Sequence, residues 1–128
     1  MKTIERRIRR SRVVGNALNY QLQACSERAG SPALLLTARH GLVIAKSPAR
    51  DIPVDSIAAQ MASVGTNQFR ITTVTCGSRP CVVSAKGFHS DGEEFVLCAV
   101  GNPNERTLGQ MHIAIGGIRR ILAQNSRR

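Results

Sequence analysis

Apolar residues recur at helical spacing from Thr3 to about Ala29, at the start of the chain. At about 100° per residue they share one face of a helix. They are Ile4, Ile8, Leu18, Leu22, Cys25 and Ala29. The opposite face holds the basic residues Lys2, Arg6, Arg9 and Arg10. Gly30 and Pro32 follow where a helix is expected to end. The pattern predicts a long amphipathic first helix over residues 3–29 with a basic outer face.

The stretch ALLLTARHGLVIAKS, which begins at Ala33, holds two apolar runs separated by a polar interruption. The interruption ends in Gly41, and glycine is the residue that a tight reversal tends to need. The stretch therefore predicts a hairpin formed by the first two strands.

A second helix is predicted over residues 54–64, because Ile57, Met61 and Val64 recur at helical spacing. Three strand segments follow, QFRITTVTC, CVVSAKGF and EEFVLCAV, and the turn sequences GSRP and HSDG separate them. A last helix is predicted after NPNE, with Asn102 as its cap. Its apolar stripe is Leu108, Met111, Ile115, Ile118 and Leu122.

The strand sequences also indicate which strands are central. A strand covered on both faces is an unbroken apolar run, whereas an edge strand alternates. ALLL and FVLCAV are unbroken, while FRITTVT alternates and is rich in threonine. We therefore expect an α+β, three-layer α/β/α fold with topology α-β-β-α-β-β-β-α and a five-stranded antiparallel sheet in the order 2-1-5-4-3. The first and last helices share one face, and residues 1–128 form one domain with a loose tail over 124–128.

Composition and charge narrow the function classes. The chain of 128 residues has a net charge of +10, concentrated at its two ends, and this allows contact with nucleic acid or an anionic membrane. The expected basic patch consists of Arg6, Arg9, Arg10, Arg119 and Arg120. With no Trp, one Tyr and three Phe, the chain offers few platforms for stacking bases, so no specific nucleic acid is expected. No membrane span or secretory signal is evident, which favours a cytoplasmic protein.

The sequence lacks the motifs of common active sites, including GxSxG, GxxxxGK[ST] and HExxH, so neither enzymatic activity nor a cofactor is expected. Cys25 and Cys98 lie in apolar patterns, whereas Cys76 and Cys81 flank the turn GSRP. A zinc site that combines these two with Cys98 and His89 lacks C-x2-C spacing, so no metal is expected. The sequence leaves the redox state of Cys76 and Cys81 open.

The topology and the hairpin ALLLTARHGLVIAKS together resemble the Roadblock dynein light-chain family of profilin-like domains, bacterial single-domain type, from about Ile4 to Ala123. Many members carry Asp before the hairpin glycine, where this chain has His40. The resemblance implies a homodimer that joins sheets at the third strand and apposes its second helices. It also implies a scaffold or regulator that binds a small Ras-like GTPase.

The third strand is also an unprotected edge that can accept a partner strand, apart from Arg70. The predicted dimer interface comprises Phe69, Arg70, Ile71, Thr72, Thr73, Val74 and Thr75 with Ile57, Met61 and Val64 of the second helix. The partner is expected to contact Asp55, Gln60 and Ser63. Two alternative functions are a basic-surface binder of nucleic acid or anionic membrane, and a small-ligand sensor of PAS or GAF type.

Overall fold

The computed structural model describes residues 2–30, 33–49, 52–76 and 78–126, without the side chains of residues 2–12, Cys76, Asn125 and Ser126. The elements in chain order are α1 (Lys2–Arg28), β1 (Ala33–Ala38), β2 (Val43–Lys46), α2 (Val54–Met61), β3 (Phe69–Cys76), β4 (Arg79–Ser90), β5 (Glu93–Val100) and α3 (Glu105–Ser126). The predicted topology is confirmed. The helix α2 ends three residues before Val64, and residues 124–126 are helical rather than loose.

The five strands form one antiparallel sheet in the order β2-β1-β5-β4-β3, as the sequence predicts. The central pair β1 and β5 runs in register from Ala33 opposite Val100 to Ala38 opposite Phe95. Leu35 and Cys98 face each other in this pair, and both are buried. The unbroken apolar runs therefore mark the strands that helices cover on both faces.

Each face of the sheet has its own core. On one face, α1 and α3 pack on alternate strand residues that include Leu34, Leu36, Phe88, Leu97 and Ala99. On the other face, α2 packs on Leu35, Val74, Val83, Val96 and Cys98. Successive side chains of a strand point to opposite faces, so neighbours in sequence enter different cores. The result is the expected three-layer α/β/α arrangement.

The turn between β4 and β5 consists of two residues, Asp91 and Gly92. Both have positive φ, at 53° and 81°, as a two-residue turn that matches the twist of its strands requires. The strand β4 therefore continues to Ser90, two residues beyond the apolar run CVVSAKGF.

The predicted cap of α3 is wrong by two residues. The helix begins at Glu105, and Asn104 Oδ1 accepts a hydrogen bond from the Thr107 N–H at 2.8 Å. Asn104 is therefore the N-cap, and Pro103 and Asn102 precede the helix. Both asparagines are acceptable caps, and the path of the chain after β5 selects the second one.

Candidate protein-binding surface

The two edges of the sheet differ in how far they are closed. At β2, the Lys46 N–H donates to Asn19 Oδ1 of α1 at 2.9 Å, and beyond the strand the Ser47 N–H donates to the Leu34 carbonyl at 2.9 Å. A helix side chain therefore occupies a position where another strand would bind. The other edge strand, β3, has eight residues and only β4 as its neighbour. Of the two edges, β3 is the one open to a further strand.

Alternation along β3 decides which backbone groups face outward. The Gly87 N–H donates to the Gln68 carbonyl at 2.9 Å, immediately before β3 begins, and the same register continues along the whole strand. In an antiparallel pair, residues that bond to the neighbour alternate with residues whose N–H and C=O point away. The residues with outward backbone groups are Phe69, Ile71, Thr73 and Thr75.

The side chains of these outward residues lie on the α3 side of the sheet. Phe69 and Ile71 are each about half exposed, at 48% and 49%. A groove of about 330 Å³ separates this part of the sheet from α3. Its lining consists of Phe69, Lys86, Leu108, Met111, His112 and Ile115. Residue spacing along the chain does not reveal this groove, because the groove depends on where α3 crosses the sheet.

The residues predicted for the second helix fall into a buried group and an exposed group. Ile57, Met61 and Val64 are buried against the sheet at 0%, 2% and 5% exposure. Because these side chains already pack within the protomer, they are not available at the surface for the dimer contact expected of them. The exposed positions of α2 and its end are Asp55, Ser56, Ala59, Gln60 and Ser63. These residues are small or polar with one charge, so the face that α2 presents is narrow and nearly neutral.

A side-chain contact joins this helix to the open strand. Arg70 Nη1 donates to Ser63 Oγ at 3.0 Å, beyond the end of α2. Arg70, Thr72 and Val74 lie on the α2 side of β3, and Val74 is buried there. The open edge therefore adjoins Ser63, just beyond the end of α2. We call the open edge together with the exposed residues of α2 and Ser63 the edge surface.

The loop between α2 and β3 is held against β4 by close backbone contact. Thr66 forms an isolated bridge with Gly87, and the Asn67 N–H donates to the Gly87 carbonyl at 2.8 Å. A Cβ atom at Gly87 would lie 1.9 Å from the Gly65 carbonyl oxygen. Only glycine permits this approach, and the approach sets the position of α2 relative to β3.

The same loop contacts the β1–β2 turn through a charged pair. Thr66 Oγ1 donates to Glu94 Oε1 at 3.1 Å, and Glu94 Oε2 lies 3.1 Å from Arg39 Nη1. At the turn, Gly41 has a φ of 80° and would place a Cβ 3.2 Å from the Ala59 backbone of α2. The hairpin that carries the Roadblock resemblance therefore supports α2, which identifies its role as structural.

The predicted basic patch is described only at its C-terminal members. Arg119 packs over the Phe88 ring, with 5.6 Å from Cζ to the ring centroid, and its Nε donates to the His89 carbonyl at 3.3 Å. Arg120 is exposed on the adjacent position of α3. The side chains of Arg6, Arg9 and Arg10 lie outside the described residues. The two described arginines thus have different surroundings, one against the sheet and one in solvent.

Of the four residues considered for a zinc site, the three with described side chains lie apart. Cys81 and His89 lie eight positions apart on β4, about 26 Å along a strand. Cys98 is buried in the α2-side core, and burial raises its pKa to about 12. Burial also raises the pKa of Cys25. Among the described residues, no group of three or more His, Cys, Asp or Glu side chains is arranged to hold a metal.

The buried thiols are expected to resist alkylation. At pH 8, iodoacetamide should modify half-buried Cys81 faster than Cys98 by about a hundredfold, because a desolvated thiol stays protonated and becomes accessible only on local opening. Peptide mapping by mass spectrometry after timed quenching measures both rates, and unfolded protein serves as the control. Equal rates in the folded protein would contradict the burial of Cys98.

Because burial raises the pKa of Cys98, we expect the free energy of unfolding to decrease at alkaline pH. Between pH 9 and about 12, Cys98 ionises in the unfolded chain and stays neutral in the folded one, so the free energy of unfolding falls as pH rises. Below pH 9 the thiol is protonated in both states and the contribution is constant.

The described architecture has two helices on one face of a 2-1-5-4-3 sheet and one helix on the other. Among solved structures it is similar to "MglB with tetrameric arrangement", with a TM-score of 0.65 and 20% identity over 88% of this chain and 92% of that one. A gliding protein MglB from Thermus thermophilus gives a TM-score of 0.65 and 19% identity over 87% and 92% of the two chains. MglB of Myxococcus xanthus gives 0.62 and 14% over 86% and 90%. The predicted resemblance is confirmed as a likeness of fold across most of the chain.

No family model and no curated protein sequence matches this chain. Of the helices described, none has a stretch long and apolar enough to cross a bilayer.

Proposed function

We propose that this protein is a non-enzymatic, dimeric regulator that binds a small Ras-like GTPase through the edge surface. The observation that carries the proposal is the difference between the two sheet edges. The β2 edge receives a hydrogen bond acceptor from Asn19, whereas β3 offers the outward backbone groups of four residues. An open strand next to a nearly neutral helix face is a surface that a protein partner covers well.

The proposed dimer follows from one symmetry operation. A two-fold axis beside β3 pairs the strand with its own copy and produces a continuous ten-stranded sheet. Ser63, two residues beyond the end of α2, accepts a hydrogen bond from Arg70 of β3, and the operation places both α2 helices on the same face of that sheet. The likeness to a tetrameric MglB arrangement supports self-association of this fold.

The GTPase assignment rests on the fold. The resemblance to Roadblock domains implies a small GTPase as the partner, and three MglB structures share the architecture. The exposed residues Asp55 and Gln60 of α2, with Ser63 beyond its end, would lie on the surface that two paired copies present. Their short and mostly uncharged side chains allow close approach by a partner loop.

The proposed function requires no catalysis by the protein itself. The histidines occupy unrelated places, with His40 in the β1–β2 turn, His89 on β4 and His112 on α3, and all three are exposed. The placement of these histidines on separate elements supports a role in binding rather than in general-base catalysis. Regulation by binding and orientation is the activity that this surface suits.

An affinity capture tests the proposal. The tagged protein is expected to retain a small GTPase from native lysate, with different amounts when the lysate contains GDP or a non-hydrolysable GTP analogue. Gln60→Arg places a long charged side chain on α2, and we expect it to reduce capture by about tenfold or more. Gln124→Arg makes the same chemical change at an exposed position of α3 and should leave capture unchanged. Equal capture by both variants, or no GTPase in the wild-type eluate, would refute the assignment.

A further inference from the structure

The outer face of the helical layer, opposite α2, has a chemistry that the proposed GTPase function does not use. Here α1 and α3 run antiparallel, because Arg106 Nε donates to the Arg28 carbonyl while Gln21 lies against Gly117. Residue numbers rise along one helix as they fall along the other. The last turns of α1 therefore lie beside the first turns of α3, and earlier residues of α1 lie beside later residues of α3.

Large apolar side chains are exposed along this face. Tyr20 is 74% exposed and Val13, seven residues earlier on α1, is 67% exposed. On α3, Ile113 is 46% exposed. Residues seven apart lie on the same side of a helix, so Val13 and Tyr20 form one row. Single exposed apolar residues are ordinary, but a row of them on a helix pair marks an interaction surface.

The charges of the same face are all of one sign over most of its length. The sequence contains no Asp or Glu between Arg6 and Ser26, or between Arg106 and Arg128. Arg106 and Arg120 are exposed and lie seven positions on either side of Ile113, in one row of α3. Helical spacing in the sequence predicts the same face for Lys2, Arg6 and Arg9, whose side chains lie outside the described residues.

We propose that this outer face of α1 and α3 binds the interfacial region of an anionic lipid bilayer. Helices that lie in a membrane interface combine arginine or lysine with moderately sized apolar side chains on one surface. Arginines interact with anionic headgroups, and tyrosine places its ring among the headgroups with its hydroxyl in water. The face has both kinds of group. Exposed Glu27 lies seven residues after Tyr20 in the same row, so the part of the face without carboxylates ends before it.

A bilayer fits this surface better than a nucleic acid does. The exposed apolar row has no counterpart on a phosphate backbone, whereas acyl chains near the headgroups can receive it. The face holds one aromatic ring, Tyr20, and stacking on single strands uses several rings in succession. Duplex DNA is therefore expected to bind weakly, and only at low salt, through charge alone.

The position of the outer face on the protomer is also compatible with the proposed dimer, although the membrane inference does not depend on dimerisation. The helices α1 and α3 cover one face of the sheet and α2 covers the other. A sheet continued through β3 carries two copies of the outer face on one side, so two weak contacts act together. The α2 helices then point away from the membrane, towards a GTPase in solution.

Vesicle sedimentation of the purified protein tests the inference. Vesicles of phosphatidylcholine with about a third phosphatidylserine are compared with pure phosphatidylcholine at about 0.15 M salt, where isolated exposed charges are largely screened. Binding is expected to the anionic vesicles only. Val13→Ser combined with Tyr20→Ser should lower the partition coefficient by about tenfold, and Arg120→Glu by a similar factor. Arg79→Glu reverses an exposed charge at the far end of β4 and serves as the matched control.

Each outcome is decisive for the bilayer proposal. Melting curves equal to that of the wild type show that the surface variants are folded, which their exposure favours. Absence of binding to anionic vesicles, unchanged binding by the apolar double variant, or tighter binding to duplex DNA at the same salt would each overturn it. No GTPase is present in the assay, so its failure is independent of the failure of the proposed function.

Discussion

Gly87→Ala is expected to lower the free energy of unfolding by about 3 kcal/mol, and the melting temperature by about 10 °C. The new Cβ would lie 1.9 Å from the Gly65 carbonyl oxygen and 2.6 Å from its carbon. Both atoms belong to the backbone, so the α2–β3 loop must move away from β4. That movement breaks the bond from the Asn67 N–H to the Gly87 carbonyl and displaces the end of α2. Thermal and urea unfolding followed by circular dichroism measure the loss.

Gly116→Ala provides the matched control for this prediction. The change is chemically identical, but a Cβ at Gly116 meets nothing within 4 Å and the position is inside α3. Alanine is favoured over glycine in a helix by about 1 kcal/mol, so this variant should be slightly more stable than the wild type. Equal effects of the two substitutions, or a loss at Gly87 below about 0.5 kcal/mol, would contradict the close contact between the loop and β4.

Thr73→Pro is expected to convert the proposed dimer to a monomer while leaving the protomer folded. Proline removes the N–H of Thr73, which points outward from the sheet, and prevents a second strand from binding at that position. We expect the dimer dissociation constant to rise by at least about a hundredfold. Light scattering and sedimentation equilibrium measure the association, and a melting curve reports the fold.

The neighbouring residue supplies the control for the edge. Thr72 lies opposite Val83, and its N–H points towards β4. Thr72→Pro should therefore destabilise the protomer by about 3 kcal/mol, because it removes a hydrogen bond within the sheet. Ile71→Lys tests the edge without proline, since a charged lysine on an edge strand discourages pairing. A monomeric wild type at tens of micromolar, or full dimerisation of both edge variants, would refute the proposed interface.

The two sets of variants test two separate requirements of the proposed function: the position of α2 within a protomer and the pairing of two protomers. Gly87→Ala acts on the position of α2 within one protomer, whereas Thr73→Pro acts on the pairing of two protomers. If the GTPase recognises the paired helices, both variants lose capture, but only the first loses stability. If one protomer is sufficient for binding, Thr73→Pro retains capture.

Much of the fold could be predicted because local periodicity records which faces of each element are buried. The unbroken run at Leu34–Leu36 identified β1 as a central strand, and the alternation at Phe69–Thr75 identified β3 as an edge. Burial on two faces requires apolar residues at consecutive positions, and burial on one face requires them at every second position. Strand order follows from these requirements together with short connections.

Fewer contacts of the candidate site could be predicted, because the type of a residue does not determine which neighbour its side chain contacts. Ile57, Met61 and Val64 formed an apolar stripe, and both a sheet and a second helix can cover such a stripe. In the folded protomer the sheet covers it, which leaves the polar side of α2 for a partner. The residue types on the open edge were evident, but the outward direction of Thr73 depends on its register with β4.

The sequence by itself determined the elements, their order in the sheet and the open edge, since each depends on the spacing of apolar residues within a short segment. Three features were decided only by the tertiary structure. Asn19 of α1 accepts a hydrogen bond from the β2 edge, and the loop backbone at Gly65 packs directly against Gly87. The third feature is the set of α2 residues that remain exposed. These contacts join positions that are more than twenty residues apart or lie on different elements. These contacts depend on how the helices and strands pack together. The same side chain could contact several partners, and packing of the whole chain selects one of them.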